Sequence, residues 1–214
     1  MNERRCVIIG GAEIRNYERI RSSLRADDYL IFCDSGLKHR EGLQAEPSLI
    51  VGDFDSYQNP HSDVETIVLP CEKDDTDTVY AVKEGLKRGF EDFLLLGVTG
   101  GRMDHTLGNI YILEFLDEAG KKAVIADDYS EMQLVSGETE FIAYGSCAFF
   151  SLLNITGTAK EITVTGAKYC LQNAEITSGY QYGVSNEVAP GKTAAVSVKN
   201  GKLLLIKVFR EACA

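Results

Sequence analysis

Short unbroken apolar runs recur through the first part of the chain, and most end in glycine or aspartate. Cys6-Val7-Ile8-Ile9 ends in Gly10-Gly11, Tyr29-Leu30-Ile31-Phe32-Cys33 in Asp34-Ser35-Gly36, and Ser48-Leu49-Ile50-Val51 in Gly52-Asp53-Phe54-Asp55-Ser56. Thr66-Ile67-Val68-Leu69 leads to Lys73-Asp74-Asp75-Thr76-Asp77, Phe93-Leu94-Leu95-Leu96 to a glycine-rich stretch, and Ala123-Val124-Ile125-Ala126 to Asp127-Asp128. Between the runs, apolar residues fall at helical spacing. Thr76 or Asp75 can cap a helix with Val79, Val82 and Leu86 on its apolar face, closing at Gly89. Another helix spans about His105 to Glu118, with Leu107, Ile110, Tyr111, Leu113 and Phe115 apolar, and closes at Gly120. Unbroken apolar runs alternating with helices mark buried parallel strands. They predict an α/β domain over residues 1–130 with a mostly parallel, Rossmann-like sheet.

From Glu131 the pattern changes to short alternating runs divided by turn residues. The runs are Glu138–Ile142, Cys147–Leu153, Glu161–Thr165, Glu175–Thr177, Ala194–Val198 and Leu203–Phe209. Tyr144-Gly145-Ser146, Thr156-Gly157, Thr165-Gly166, Pro190-Gly191 and Asn200-Gly201 divide them. Many short strands without a helix indicate an all-β sandwich over residues 131–214. Asn200-Gly201, between a Val-rich and a Leu-rich run, reads as a hairpin turn.

Charge narrows the partners. The chain of 214 residues has a formal net charge of −10, which disfavours nucleic acid and anionic membrane surfaces. Six cysteines are scattered without a C-x-x-C pair, and the three histidines show no zinc-type spacing with them. No signal peptide or membrane-length apolar run is present. Reduced thiols and a cytoplasmic location are expected.

The chemistry concentrates in two features. The first is Gly97-Val98-Thr99-Gly100-Gly101-Arg102-Met103-Asp104-His105, an apolar run that meets a glycine-rich turn and then a helix. Its glycines let backbone N–H groups approach a ligand. Arg102 has the planar fork that suits phosphate oxygens, and Asp104 has a carboxylate for a metal or a hydroxyl. The second feature is acidic. Ligands of open parallel sheets bind beyond the carboxyl ends of the strands, and Asp34, Asp53, Asp55, Asp77 and Asp104 all fall at that edge. Such a cluster repels itself unless a divalent cation is present, and oxygen-only ligands favour Mg²⁺. Asp53 and Asp55, at alternate positions of one turn, can point two carboxylates at one ion. No G-x-G-x-x-G or G-x-x-x-x-G-K-[ST] loop occurs, which disfavours a dinucleotide dehydrogenase and a Walker-type NTPase. These features support a Mg²⁺-dependent enzyme acting on a phosphorylated ligand and leave its acceptor open. A kinase or nucleotide hydrolase with a different acceptor, or a non-catalytic regulator that binds the nucleotide or the acceptor, stands beside it as an alternative.

Asp34-Ser35-Gly36, Gly52–Ser56, Lys73–Asp77, Gly97–His105 with Asn109, and Ser185-Asn186-Glu187 together resemble thiamine pyrophosphokinase, in that family's order and over nearly the whole chain. The resemblance implies an α/β nucleotide-binding domain followed by a β-sandwich that binds thiamine. It implies transfer of a pyrophosphoryl group from ATP to the hydroxyl of thiamine, giving thiamine diphosphate and AMP. Asp53, Asp55 and Asp77 would hold Mg²⁺, with Asp34 near the metal or the thiamine. Thr76, Arg102 and Asp104 would position the phosphates and the nucleophile, with Thr99, Gly100, Gly101 and Asn109 forming the surrounding phosphate loop. Ser185 and Asn186 would serve the thiamine pocket from the other protomer of a homodimer. The sequence departs from the family at Ser35 and Lys38, at Cys170 within Gly166–Leu171, and at Tyr180-Gln181-Tyr182, with Tyr182 a candidate to flank the thiamine ring.

Overall fold

The computed structural model describes residues 4–55, 58, 63–72 and 74–209. Ser56 and Lys73 of the motifs above lie outside the described residues. Contacts divide the chain into two compact units, Met1–Asp128 and Tyr129–Ala214.

In the first unit, β1 (Cys6–Ile9), β2 (Tyr29–Cys33), β3 (Leu49–Gly52), β4 (Thr66–Val68), β5 (Asp92–Leu96) and β6 (Lys122–Ala126) lie in the order β6-β5-β1-β2-β3-β4. Every pairing among them is parallel. The strand order reverses between β1 and β5, which makes the carboxyl edge at those two strands the topological switch point of the sheet. All four residues of β1 are fully buried, which accounts for its lack of alternation. Burying an aliphatic side chain of this kind contributes about 1.5–3 kcal/mol. Among the described residues four helices accompany the strands: α1 (Tyr17–Ser22), α2 (Arg40–Leu43), α3 (Asp77–Lys87) and α4 (Met103–Glu118). A 3-10 turn, Asp34–His39, follows β2 directly. Thr76 caps α3, its side chain accepting from the Val79 N–H at 3.3 Å, and Gly89 (φ 80°) follows that helix. α4 carries apolar side chains on both its buried and its exposed sides, with Ile112, Leu113 and Leu116 buried and Met103, Leu107, Tyr111 and Phe115 exposed.

The second unit holds two sheets. One has the order β12-β9-β14-β7, from β7 (Ser130–Val135), β9 (Phe149–Leu153), β12 (Gly183–Asn186) and β14 (Leu203–Val208). The other is β11-β10-β13-β8, from β8 (Glu140–Ala143), β10 (Thr158–Thr165), β11 (Leu171–Thr177) and β13 (Thr193–Ser197). One core joins them: Phe150, Leu152, Leu203 and Leu205 from the first meet Ile142, Ile162, Val164 and Val196 from the second. The unit is the expected β-sandwich.

The expected hairpin at Asn200-Gly201 is not formed. β13 pairs with β8 and β10, whereas β14 pairs with β7 and β9, so the turn carries the chain from one sheet to the other. Lys160 in β10 holds the turn by exchanging backbone hydrogen bonds with Asn200, at 2.8 and 3.3 Å. Gly201 (φ 85°) passes so near β10 that a Cβ there would lie 2.5 Å from the Thr158 carbonyl oxygen. The backbone is left-handed at Gly201, as an Asn-Gly step allows, but the sandwich core decided which strands pair.

Candidate active site

Asp34 follows β2, Asp53 follows β3, and Asp77 is the first residue of α3. Their carboxylate oxygens lie within 4.8 Å of one another, Asp34 being buried and the other two half-buried. Asp34 is held at φ 34° and Phe54 at φ 58°, conformations that residues with a side chain seldom adopt. Such backbone persists only where the surroundings enforce it. Gly52 leaves room for Asp34 in this position, since a Cβ there would lie 2.9 Å from the Asp34 Cβ. Asp77 stands at a helix N-terminus, where negative charge is favoured. One oxygen each of Asp34 and Asp77 (Oδ1) is buried and receives no hydrogen bond among the described residues, although both residues interact elsewhere. An oxygen-only set with this charge and spacing fits a hard divalent cation such as Mg²⁺.

Asp55 is not one of the three. It is exposed, and its backbone N–H donates to Asp53 Oδ1 at 3.3 Å. The left-handed Phe54 stands between Asp53 and Asp55, so this turn does not follow the plain alternation of a strand.

The glycine-rich turn is braced from beneath. Asn109, buried in α4, donates from Nδ2 to the Val98 carbonyl oxygen at 2.7 Å. The Thr99 hydroxyl donates to Asp127 at 3.2 Å. Thr106, which sequence reasoning passed over, accepts from the Gly100 N–H at 3.0 Å and donates to the Arg102 carbonyl oxygen at 3.1 Å. Its only sequence signal was a hydroxyl in the first turn of a helix. Gly100 (φ 90°) and Gly101 (φ 66°) are exposed, with open space where a Cβ would stand. Arg102 and Asp104, both exposed, close on each other through Arg102 Nε to Oδ1 at 3.2 Å and Nη2 to Oδ2 at 2.6 Å. The guanidinium holds the Asp104 carboxyl down at about 2.

In the second unit Asn186 is buried and acts as a bracket. Its Oδ1 accepts from the Tyr169 N–H at 3.0 Å, and its Nδ2 donates to the Tyr169 carbonyl oxygen at 2.7 Å. The exposed Ser185 beside it is held at φ 58°, its N–H donating to Ser151 Oγ at 3.0 Å. Gln181 does the work of a strand neighbour. Its side-chain amide accepts from the Asn154 N–H at 2.9 Å and donates to the Asn154 carbonyl oxygen at 2.7 Å. The Tyr182 ring packs tilted against that of Tyr180, with centroids 5.5 Å apart, and its hydroxyl donates to the Glu175 carbonyl oxygen at 2.6 Å. Cys6, Cys33, Cys71, Cys147 and Cys170 are free thiols, and burial pushes Cys6 up to about 12. No helix among the described residues is long and apolar enough to cross a membrane.

Carboxylates gathered at a strand edge that also bears a glycine-rich turn opening on a helix are the equipment of a phosphotransfer enzyme. Comparison with known proteins gives the particular family. The catalytic-domain model of thiamin pyrophosphokinase matches residues 20–125, and the model of its vitamin B1 binding domain matches residues 143–203. A thiamine pyrophosphokinase of Bacillus subtilis is 31% identical over 163 residues, covering 73% of this chain and 76% of the relative. The chain belongs to the thiamin pyrophosphokinase family. Among solved structures, thiamine pyrophosphokinase from Bacillus subtilis superposes with a TM-score of 0.85 at 24% identity, over 97% of this chain and 100% of that one. Thiamin pyrophosphokinase from Geobacillus thermodenitrificans does so with a TM-score of 0.83 at 26% identity, over 98% and 100%.

Proposed function

We propose that this protein transfers the pyrophosphoryl group of ATP to the hydroxyl of thiamine, with Mg²⁺, giving thiamine diphosphate and AMP. The observation that carries the reading is the convergence of Asp34, Asp53 and Asp77 oxygens within 4.8 Å, in a chain of this family. Asp53 and Asp77 would hold Mg²⁺, with Asp34 completing the gathered oxygens and Asp55 adding a carboxylate from the turn of Asp53. When bound, the cation neutralises phosphate oxygens, so that charge developing during transfer is met by fixed positive charge.

The protein's own residues then position the reactants. Thr76 caps α3 and so aims Asp77. Asn109 and Thr99 hold the glycine-rich turn, and the open backbone at Gly100 and Gly101 leaves room for a phosphate. Arg102 exchanges Asp104 for phosphate oxygens when the nucleotide arrives, which frees the Asp104 carboxylate to orient the attacking hydroxyl. Such positioning supplies most of the catalysis in phosphoryl transfer. Ser185 and Asn186 serve the thiamine, Asn186 by fixing the backbone that presents the Ser185 hydroxyl. A homodimer and a cytoplasmic location complete the proposal. Incubation with ATP, Mg²⁺ and thiamine tests the chemistry. AMP with thiamine diphosphate is expected, whereas ADP, or hydrolysis without thiamine, would overturn it. Light scattering with sedimentation reads the dimer.

A further inference from the structure

We propose that His39 is a positioning residue for this reaction: through the backbone of Ala12 it holds the turn that carries Asp34 in register with the glycine-rich turn that carries Arg102. The inference rests on the reading of the site given above. His39 ends the 3-10 turn that Asp34 begins, and it is 2% exposed. Its Nε2 lies 2.8 Å from the Ala12 carbonyl oxygen and its Nδ1 lies 2.7 Å from the Tyr17 hydroxyl. A carbonyl oxygen only accepts, so Nε2 carries the proton; in the neutral ring Nδ1 then accepts from the Tyr17 O–H. Burial favours the neutral ring by pulling the His39 pKa below the ordinary imidazole value, outweighing the opposite pull of the Ala12 hydrogen bond.

The loop it grips is joined to the other wall of the site. The Ala12 N–H donates to the Gly97 carbonyl oxygen at 2.8 Å, and the Gly10 N–H donates to the Leu96 carbonyl oxygen at 2.8 Å. The two loops touch backbone to backbone. A Cβ on Gly10 would lie 2.7 Å from the Gly97 oxygen, and one on Gly97 would lie 2.6 Å from the Gly10 oxygen. Lys38 adds a bond from Nζ to the Gly11 carbonyl oxygen. A continuous path therefore runs from the Asp34 turn through His39 and Ala12 to Gly97, five residues before Arg102 in the sequence. Tyr17 is itself fixed, since its ring fills the space that a Cβ on Gly42 would need. A histidine that merely filled the core would support stability. This one spans two turns whose separation sets where the phosphates lie against the acids.

Glutamine and asparagine separate these roles, because the Gln amide extends about as far as Nε2, whereas that of Asn stops near Nδ1. With ATP, Mg²⁺ and thiamine, His39→Gln is expected to keep kcat within about threefold of the unchanged protein. His39→Asn is expected to lose about tenfold or more, the scale of a misplaced reacting group, with the thiamine KM changed less than about threefold. Equal kcat in the two folded variants overturns the proposal. Should either fail to fold, Tyr17→Phe decides. It removes one hydroxyl, and a fall in kcat of about threefold at unchanged melting temperature supports the role, while unchanged kcat overturns it. Nitrogen-15 shifts of the His39 ring give a readout independent of turnover; a proton on Nδ1 overturns the assignment. If the unchanged protein makes no AMP, the proposed reaction fails, and the ring shifts still report the clasp separately.

Discussion

Strand β2 has a buried aspartate at each end, and their surroundings differ in kind. Asp28 precedes the strand at 7% exposure, and Asp34 follows it at 5%. Asp28 is clasped by Arg5, which donates from Nε at 3.0 Å and Nη2 at 2.7 Å, and it accepts the Arg25 N–H at 2.8 Å. Asp34 converges instead with two further carboxylates. At the amino edge the fold supplies the countercharge from its own chain. At the carboxyl edge three carboxylates gather, Asp34 among them on a left-handed backbone. Equal burial of the same residue type therefore says little about role; what each carboxylate faces says much more.

The largest expected effect is at Asp28. Asp28→Ala leaves the Arg5 guanidinium buried without its carboxylate and should cost about 3–5 kcal/mol in urea unfolding, with kcat per folded molecule unchanged. Loss of kcat at full stability would move Asp28 to the functional side of the contrast. Next comes Asp53→Asn. A fall of about 10²-fold or more in AMP formation is expected, the size of a lost electrostatic contact in a transition state, with melting unharmed. Near-normal turnover would take Asp53 out of the cation site. Smaller and of opposite sign, Asp34→Asn should raise stability without divalent cation by about 0.5–2 kcal/mol, since asparagine tolerates a positive φ and removes one of three like charges. The same variant should lose most of the thermal shift that Mg²⁺ gives the unchanged protein, a shift expected because a ligand of the folded state stabilises it. Stabilisation by Mg²⁺ that survives the change would separate Asp34 from the cation.

The smallest effect concerns Arg102 and Asp104. The guanidinium lowers the Asp104 carboxyl, so any contribution of the pair to stability is present above the ordinary carboxylate range and is lost only as pH falls through about 2. Both groups are exposed, and Asp104→Asn should leave the melting temperature between pH 5 and 8 unchanged within error while reducing turnover. A marked loss of melting temperature would make the pair structural, as Asp28 and Arg5 are.

Most of the fold was legible because buried parallel strands must be apolar throughout, and Cys6–Ile9 and Tyr29–Cys33 were readable to the residue. β7 and β12 were not: Glu131-Met132-Gln133-Leu134 alternates over only four residues where the pattern changes, and Gly183–Asn186 holds a single large apolar residue. The carboxyl-edge acids were legible from their positions after the runs. Which of them converge was not, since that depends on how three segments distant in sequence meet, with left-handed backbone at Asp34 and Phe54. His39 and Gln181 were invisible as working residues for another reason. Each acts on the backbone of a distant loop, and the sequence near them holds no mark of the atoms they bind.

The pairing of the sandwich constrains how its unit is made. β14 lies between β7 and β9 and is hydrogen-bonded to both, with Ser130 opposite Val208 and Leu204 opposite both Leu134 and Leu153. During synthesis β7 and β9 emerge long before the strand that must separate them. Until β14 arrives, both expose edges and apolar faces suited to mispairing, and non-local closure of this kind is slow. The interval between translating Val135 and Leu203 is thus a window of aggregation risk, one that slow elongation would lengthen and early chaperone engagement would cover.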